Sequence, residues 1–230
     1  MGALGTIAAM DSSLVQTFAV YALPVLFAIT LHEAAHGYVS KHFGDNTAYV
    51  LGRVSLNPIR HIDPIGTIAV PLLLYFLTKG QFVFGYAKPV PVVFSRLRNP
   101  RWHGMWVALA GPGSNLIQAF AWALVTIGLV WARVQEPFFA EMARAGVLVN
   151  LVMAAFNLFP IPPLDGGRVL TALLPQRIAM AVGRVEPYGI FVVMALVAAG
   201  VITQIWMWPV IKLLASLVEL MLQPFMLLLQ

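Results

Sequence analysis

Two histidines and a glutamate stand at His32, Glu33 and His36, in the stretch "LHEAAHGYVSKHFGD" of residues 31–45, directly after an uncharged apolar run. The spacing is HExxH. On a helix, side chains four residues apart share a face, so both imidazoles can reach one ion. Glu33 is turned about 100° from His32 around the helix axis. It can therefore reach a water on that ion rather than the ion itself, which pairs a metal-activated nucleophile with a general base. The blander reading is a helix end whose polar groups reach for an interface. Against it, an acid at the centre of a membrane costs about 2.5–3.5 kcal/mol even on the mildest scale, and such residues are functional by default.

A catalytic zinc ion takes three protein ligands and keeps one position open. The chain has five histidines. His42 falls on a different helical face from His36, and His61 and His103 fall in expected loops with basic neighbours. Among the acids, Asp165 differs from the rest. It follows an apolar run and the stiffened backbone of Pro160, Pro162 and Pro163, and Gly166 and Gly167 allow a tight turn behind it. Non-helical backbone at membrane depth survives only where protein or a water-filled cavity surrounds it. A carboxylate delivered this way suits a third ligand; an aspartate capping the next helix is the competing reading.

Of the 230 residues, 60% are hydrophobic and 10% are charged, against about 25% charged in a soluble domain. This is the composition of a polytopic membrane protein. With no cysteine, disulfides, thiolate zinc sites and cysteine nucleophiles are excluded. The net charge of +5 fits loops held on the cytoplasmic side. Nucleic acid is not an expected partner, since no basic stripe interleaved with aromatics exists. The N-terminus has neither a positive n-region nor a small-residue cleavage site, so no removable signal peptide is expected.

The elements that must position these residues follow from the apolar pattern. Residues 14–31 begin a helix that runs to about Lys41. Residues 45–63 are mixed, and the loose alternation of "AYVLGRVSLNP" predicts a short strand or hairpin. "PIGTIAVPLLLYFLTK" (64–79) is apolar but covers only about 24 Å, less than a hydrocarbon core of about 30 Å. "GQFVFGYAKPVPVVF" (80–94) reads as extended loop or strand. Long helices are expected over 105–132, containing "AGPGSN", and over 145–159. A clear span is expected over 189–208, and a final apolar stretch over 210–230 either crosses or lies at the interface. The expected fold class is an all-α polytopic membrane protein: about five transmembrane helices, a short re-entrant segment, and small β-hairpin elements near the cytoplasmic side. It forms a single domain, 1–230, with its catalytic core at about 15–185 and additional C-terminal helices at 187–230. Gly111, Gly113 and Ser114 are expected to let helices pack closely; Asn115 is open between an interhelical hydrogen bond and a site role.

HExxH at 32–36, "AGPGSN" at 110–115 and "NLFPIPPLDGG" at 157–167 together resemble the site-2 protease family of intramembrane zinc metalloproteases, over roughly residues 15–185. The resemblance implies one Zn²⁺ per chain held by His32, His36 and Asp165, with Glu33 as catalytic base. It implies a polar role for Asn157, steadying substrate or oxyanion. The substrate it implies is a transmembrane protein within the lipid bilayer, and the setting a bacterial or archaeal cell membrane. The chain is similar to the short, compact branch, without the PDZ insert and CBS domain of larger relatives. A substrate helix must unwind to expose its carbonyls, and extended stretches near 48–56 and 81–86 could hold the unwound strand by edge pairing. The residues alone leave open a membrane metal-ion transporter using the same His/Asp site, a non-catalytic scaffold, and a hydrolase acting on lipid.

If His36 and Asp165 meet at one ion, the exits of their helices lie on the same side. The segment 64–100 must then enter and return to that side. With this topology, eleven of the fourteen Lys and Arg residues lie on the site's side, which makes that side cytoplasmic and puts the N-terminus outside.

Overall fold

A computed structural model describes residues 2–77, 85, 88–184 and 186–227. Nine α-helices are found among them: α1 (Gly2–His42), α2 (Thr47–Val50), α3 (Val70–Leu77), α4 (Pro100–Trp131), α5 (Pro137–Asn157), α6 (Asp165–Leu173), α7 (Gln176–Gly183), α8 (Glu186–Ala198) and α9 (Trp208–Leu227). π-helical turns at Pro64–Ala69 and Ile202–Met207 lead into α3 and α9. Among the described residues, four helical stretches are long and apolar enough to cross a membrane, Val15–His42, Pro100–Trp131, Pro137–Asn157 and Ile202–Met226, with a fifth if the bent pair α7–α8 is one span. Large apolar side chains such as Phe18, Phe76, Ile117, Phe191 and Leu217 face outward, a surface that lipid rather than water can cover.

Two expectations fail here. The described residues contain no strand, so the hairpin over 48–58 is absent. Its backbone is satisfied locally instead. Asp45 Oδ1 accepts the Thr47 amide at 3.0 Å and also the Thr47 hydroxyl, which starts the helical turn α2. Arg53 and Arg60 then donate to the carbonyls of Arg60 and Gly52. Backbone groups engaged by nearby side chains have no need of a ladder. The edge pairing expected at 48–56 has no strand to work with, while residues 81–84 and 86 of the other stretch lie outside the described residues. The second failure is the unbroken span over 189–208. α8 stops at Ala198, and Gly200 takes φ +73° before the chain re-enters helix at Ile202. Glycine adopts that left-handed conformation readily and commonly ends helices. Apolar character carries across the break, which is why composition hides it. The final stretch is correspondingly longer than expected, reaching spanning length from Ile202.

The chain divides into two compact units. The first comprises Met1–Ala28, Asn115–Phe159 and Phe191–Gln230. Its core is small: Ala119 and Ala123 of α4, Leu151, Ala154 and Ala155 of α5, and Leu214 and Val218 of α9. Small residues let helix backbones approach where lipid supplies no hydrophobic drive. Polar links add to this. Asn115 Nδ2 donates to Asn150 Oδ1 at 2.8 Å and to the Ala28 carbonyl at 3.3 Å, and Trp206 Nε1 donates to the Ala155 carbonyl at 2.8 Å. Asn115 therefore makes the interhelical bond that was one of its two readings.

The second unit comprises Ile29–Ser114 and Pro160–Ile190. Much of its backbone is irregular, and charged side chains tie it together. Asp63 accepts the Ile65 and Gly66 amides at 3.0 and 2.7 Å, with Pro64 behind it, and so starts the apolar helical run 64–77. The described part of that run, fourteen residues, covers about 21 Å. Arg98 donates to the His42 carbonyl at 2.8 Å, and Arg101 to those of Ala172 and Leu174 at 2.6 and 3.0 Å. Burial would push the Asp45 carboxyl up. The Thr47 hydroxyl, the Val93 and Thr47 amides and the nearby Arg96 outweigh that and hold it below its ordinary range.

Candidate metal centre

α1 carries no charged residue between Ser12 and Leu31 and continues as helix through the HExxH residues, so His32 and His36 project from one face. Their Nε2 atoms are 3.1 Å apart. Asp165 is the first residue of α6. Leu164 ahead of it is extended, with ψ 156°, because the proline-rich run 160–163 cannot join the helix. Asp165 Oδ2 lies 3.3 Å from His32 Nε2 and 3.4 Å from His36 Nε2. This oxygen is buried and makes no hydrogen bond; it faces the imidazole pair instead of capping α6.

A metal ion fits this arrangement on three grounds. The donor set, two imidazole nitrogens and a carboxylate oxygen, is one zinc uses. Zinc bonds of about 2.0–2.1 Å to a tetrahedral site put neighbouring ligand atoms about 3.3 Å apart, and the three separations here are 3.1, 3.3 and 3.4 Å. Among the described residues Asp165 Oδ2 accepts no hydrogen bond, and the groups it faces are the two imidazoles. His36 is further prepared by its other nitrogen: Nδ1 lies 2.7 Å from the Val107 carbonyl. A carbonyl only accepts, so Nδ1 carries a proton and Nε2 is the nitrogen that faces the site.

Gly111 of α4 leaves the room. A Cβ there would lie 2.5 Å from His32 Cε1 and 2.5 Å from His36 Nε2, closer than real Cβ atoms come. The expectation of close packing at "AGPGSN" is therefore met at Gly111, although the neighbour is the imidazole pair rather than a helix backbone. It is not met at Gly113, where a Cβ would touch nothing within 4 Å. The Ser114 hydroxyl donates back to the Gly111 carbonyl at 2.8 Å.

Glu33 stays out of the cluster of potential ligands, which among the described residues is His32, His36 and Asp165. Its Oε2 accepts the Val90 amide at 2.7 Å. The other histidines have different partners. His42 is exposed. His61 Nε2 donates to the Ser55 carbonyl at 2.8 Å. His103 lies in the first turn of α4, not in a loop, stacked on Phe43 at 4.1 Å. Asn157 is the last residue of α5, and its amide donates to the Met153 carbonyl at 3.0 Å.

Sequence comparison identifies the scaffold. The model of peptidase family M50 matches residues 134–200. YwhC of Bacillus subtilis, named as a candidate zinc metalloprotease, is 36% identical over 201 residues, which is 83% of this chain and 84% of its own length. The chain belongs to peptidase family M50. Rip2 of Mycolicibacterium smegmatis, of the same description, is 27% identical over 85% of this M50 chain and 74% of its own length. MJ0611 of Methanocaldococcus jannaschii is 31% identical over 43% of this chain and 50% of its own length. No solved structure matches it significantly. The resemblance to the site-2 protease family therefore holds. This M50 chain is a metalloprotease, its cofactor is zinc, and it is an integral membrane protein.

Proposed function

We propose that this M50 chain is an intramembrane endopeptidase that hydrolyses a peptide bond in or near a transmembrane helix of a membrane-protein substrate. One observation carries the reading: two imidazoles on an apolar helix and an orphaned carboxylate oxygen 129 positions further along the chain converge on one point. His32, His36 and Asp165 would hold one zinc ion. When bound, zinc polarises the scissile carbonyl and acidifies water. Glu33 takes the proton from the attacking water and returns it to the leaving amine. Asn157 steadies substrate or oxyanion, a role that rests on the resemblance alone. The whole chain acts as one membrane-embedded protease domain, with its core at about 15–185 and further helices at 187–230. The segment 64–100 enters and returns to one side, as it must if the helices that lead to His36 and Asp165 both exit there. The excess of basic residues on the site's side supports a cytoplasmic-facing site and an external N-terminus. Transport of a metal ion, the alternative open to the sequence, gives Glu33 no task.

The test pairs metal analysis with cleavage of a panel of single-span membrane helices. Glu33→Gln is expected to keep zinc and lose cleavage by about 10²- to 10⁴-fold; cleavage at the normal rate removes Glu33 as the base. Asp165→Asn is expected to lose zinc to a chelator wash that the unaltered chain survives, and unchanged metal content removes it from the ligand set.

A further inference from the structure

The segment "KPVPVV", residues 88–93, was left without a role by the chemistry above. Pro89 and Pro91 prevent helix and carry no N–H, so few amides remain to anchor it. Three of them are placed. Lys88 N donates to the His61 carbonyl at 2.9 Å, Val90 N to Glu33 Oε2 at 2.7 Å, and Val93 N to Asp45 Oδ2 at 2.7 Å. Arg53 Nη2 donates to the carbonyls of Lys88 and Pro89 at 2.8 and 3.4 Å. The Val90 side chain is buried and lies beside Gly37, one turn beyond Glu33 on α1, where Val54 also packs.

A strap is thus fastened at both ends and touches the proposed base in the middle. Asp45 is the more telling anchor. It is fully buried, and its two oxygens divide the work, Oδ1 starting α2 and Oδ2 taking the strap. Burying a carboxylate is expensive unless donors surround it, and part of the return here is the fixed position of residues 88–93. Glu33 needs such help. A glutamate side chain has three rotatable bonds, whereas proton transfer requires a carboxylate oxygen held within hydrogen-bond reach. Engaging Oε2 orients the group and leaves Oε1 for the proton.

We propose that residues 88–93 are a positioning strap for Glu33, acting through the Val90 amide, with Asp45 and Arg53 as the residues that hold the strap in place. The inference rests on the reading of Glu33 as the base.

The experiment compares Val90→Pro, which removes the amide hydrogen, with Val90→Ala, which keeps it and trims the side chain. Both are made in the full chain and assayed on a single-span helix that the unaltered chain cleaves. Val90→Pro should lower kcat about ten- to hundredfold, with KM and zinc content unchanged, and Val90→Ala should leave kcat within about twofold of the parent. Equal losses in both variants would assign the effect to side-chain packing and overturn the proposal. So would a kcat that is unchanged, or one that rises, which would make the strap a brake. If Val90→Pro does not accumulate as folded protein, Asp45→Ala decides. It removes the acceptor of the Val93 amide, so kcat should fall at constant KM and zinc content; an unaltered kcat overturns the proposal. Amide exchange adds a readout independent of turnover: the Val90 amide should be protected in the parent and exchange faster in Glu33→Ala, and equal protection breaks the link. Loss of cleavage in Glu33→Gln together with normal turnover in Val90→Pro would sink the strap and leave the base standing, whereas normal cleavage in Glu33→Gln would sink the base itself.

Discussion

The two units of this M50 peptidase both bury polar side chains, and they do so in opposite ways. In the first, Asn115 and Asn150 are neutral amides that bond to each other and to carbonyls, Asn150 Nδ2 donating to Gly146 at 2.9 Å. Gln118, three residues along α4 from Asn115, is buried with neither amide atom hydrogen-bonded, and it belongs to no group of potential metal ligands among the described residues. In the second unit, the Nε2 atoms of two imidazoles and one oxygen of Asp165 meet at one place, and a glycine keeps that place open. Buried polarity is therefore not itself a sign of chemistry. Convergence of three metal-ligating atoms on one point is, because two imidazole nitrogens and a carboxylate oxygen are a donor set that zinc uses.

The largest expected effect tests the space. Gly111→Ala puts a methyl group onto both imidazoles, so it should abolish zinc retention and cleavage together; metal content equal to the parent's would mean the site opens more easily than its geometry suggests. A middle effect tests the first unit. Asn150→Ala removes an interhelical hydrogen bond that in membrane proteins averages about 0.6 kcal/mol and reaches about 1.7. Thermal or denaturant stability in detergent should fall by that order while zinc content and kcat hold. A variant that loses metal instead would erase the contrast between the units. The smallest effect tests an exposed ion pair of the second unit. Arg168 and Glu186 pair at 3.1 Å but are 35% and 46% exposed, so Arg168→Gln should change stability by less than about 1 kcal/mol, measured in the same unfolding assay.

Much of the centre was legible because helical spacing is local. His32, Glu33 and His36 lie within five residues, and any helix through them gives the same faces. Asp165 was legible in part: prolines ahead and glycines behind mark a break that could aim a carboxylate, but the same letters suit a cap. Its partners lie 129 and 133 positions away, and only packing brings such groups together. The strand expected over 48–58 failed because alternation is a weak signal once Asp45, Arg53 and Arg60 engage the backbone. The long span over 189–208 failed because the break at Gly200 leaves hydropathy almost unchanged.

The order of residues determined that this chain enters a membrane, that an apolar helix carries two imidazoles and a carboxyl on neighbouring faces, and that a stiff break precedes Asp165. Each of these depends on short-range sterics or on the free energy of moving side chains out of water, which act residue by residue. Tertiary structure alone decided that the Val107 carbonyl sets the His36 tautomer, that Gly111 clears the space, and that the Val90 amide meets Glu33. Two of those three partners are backbone groups, which nearly every residue carries alike, and the third is the absence of a side chain. Their roles come from which distant segments pack side by side.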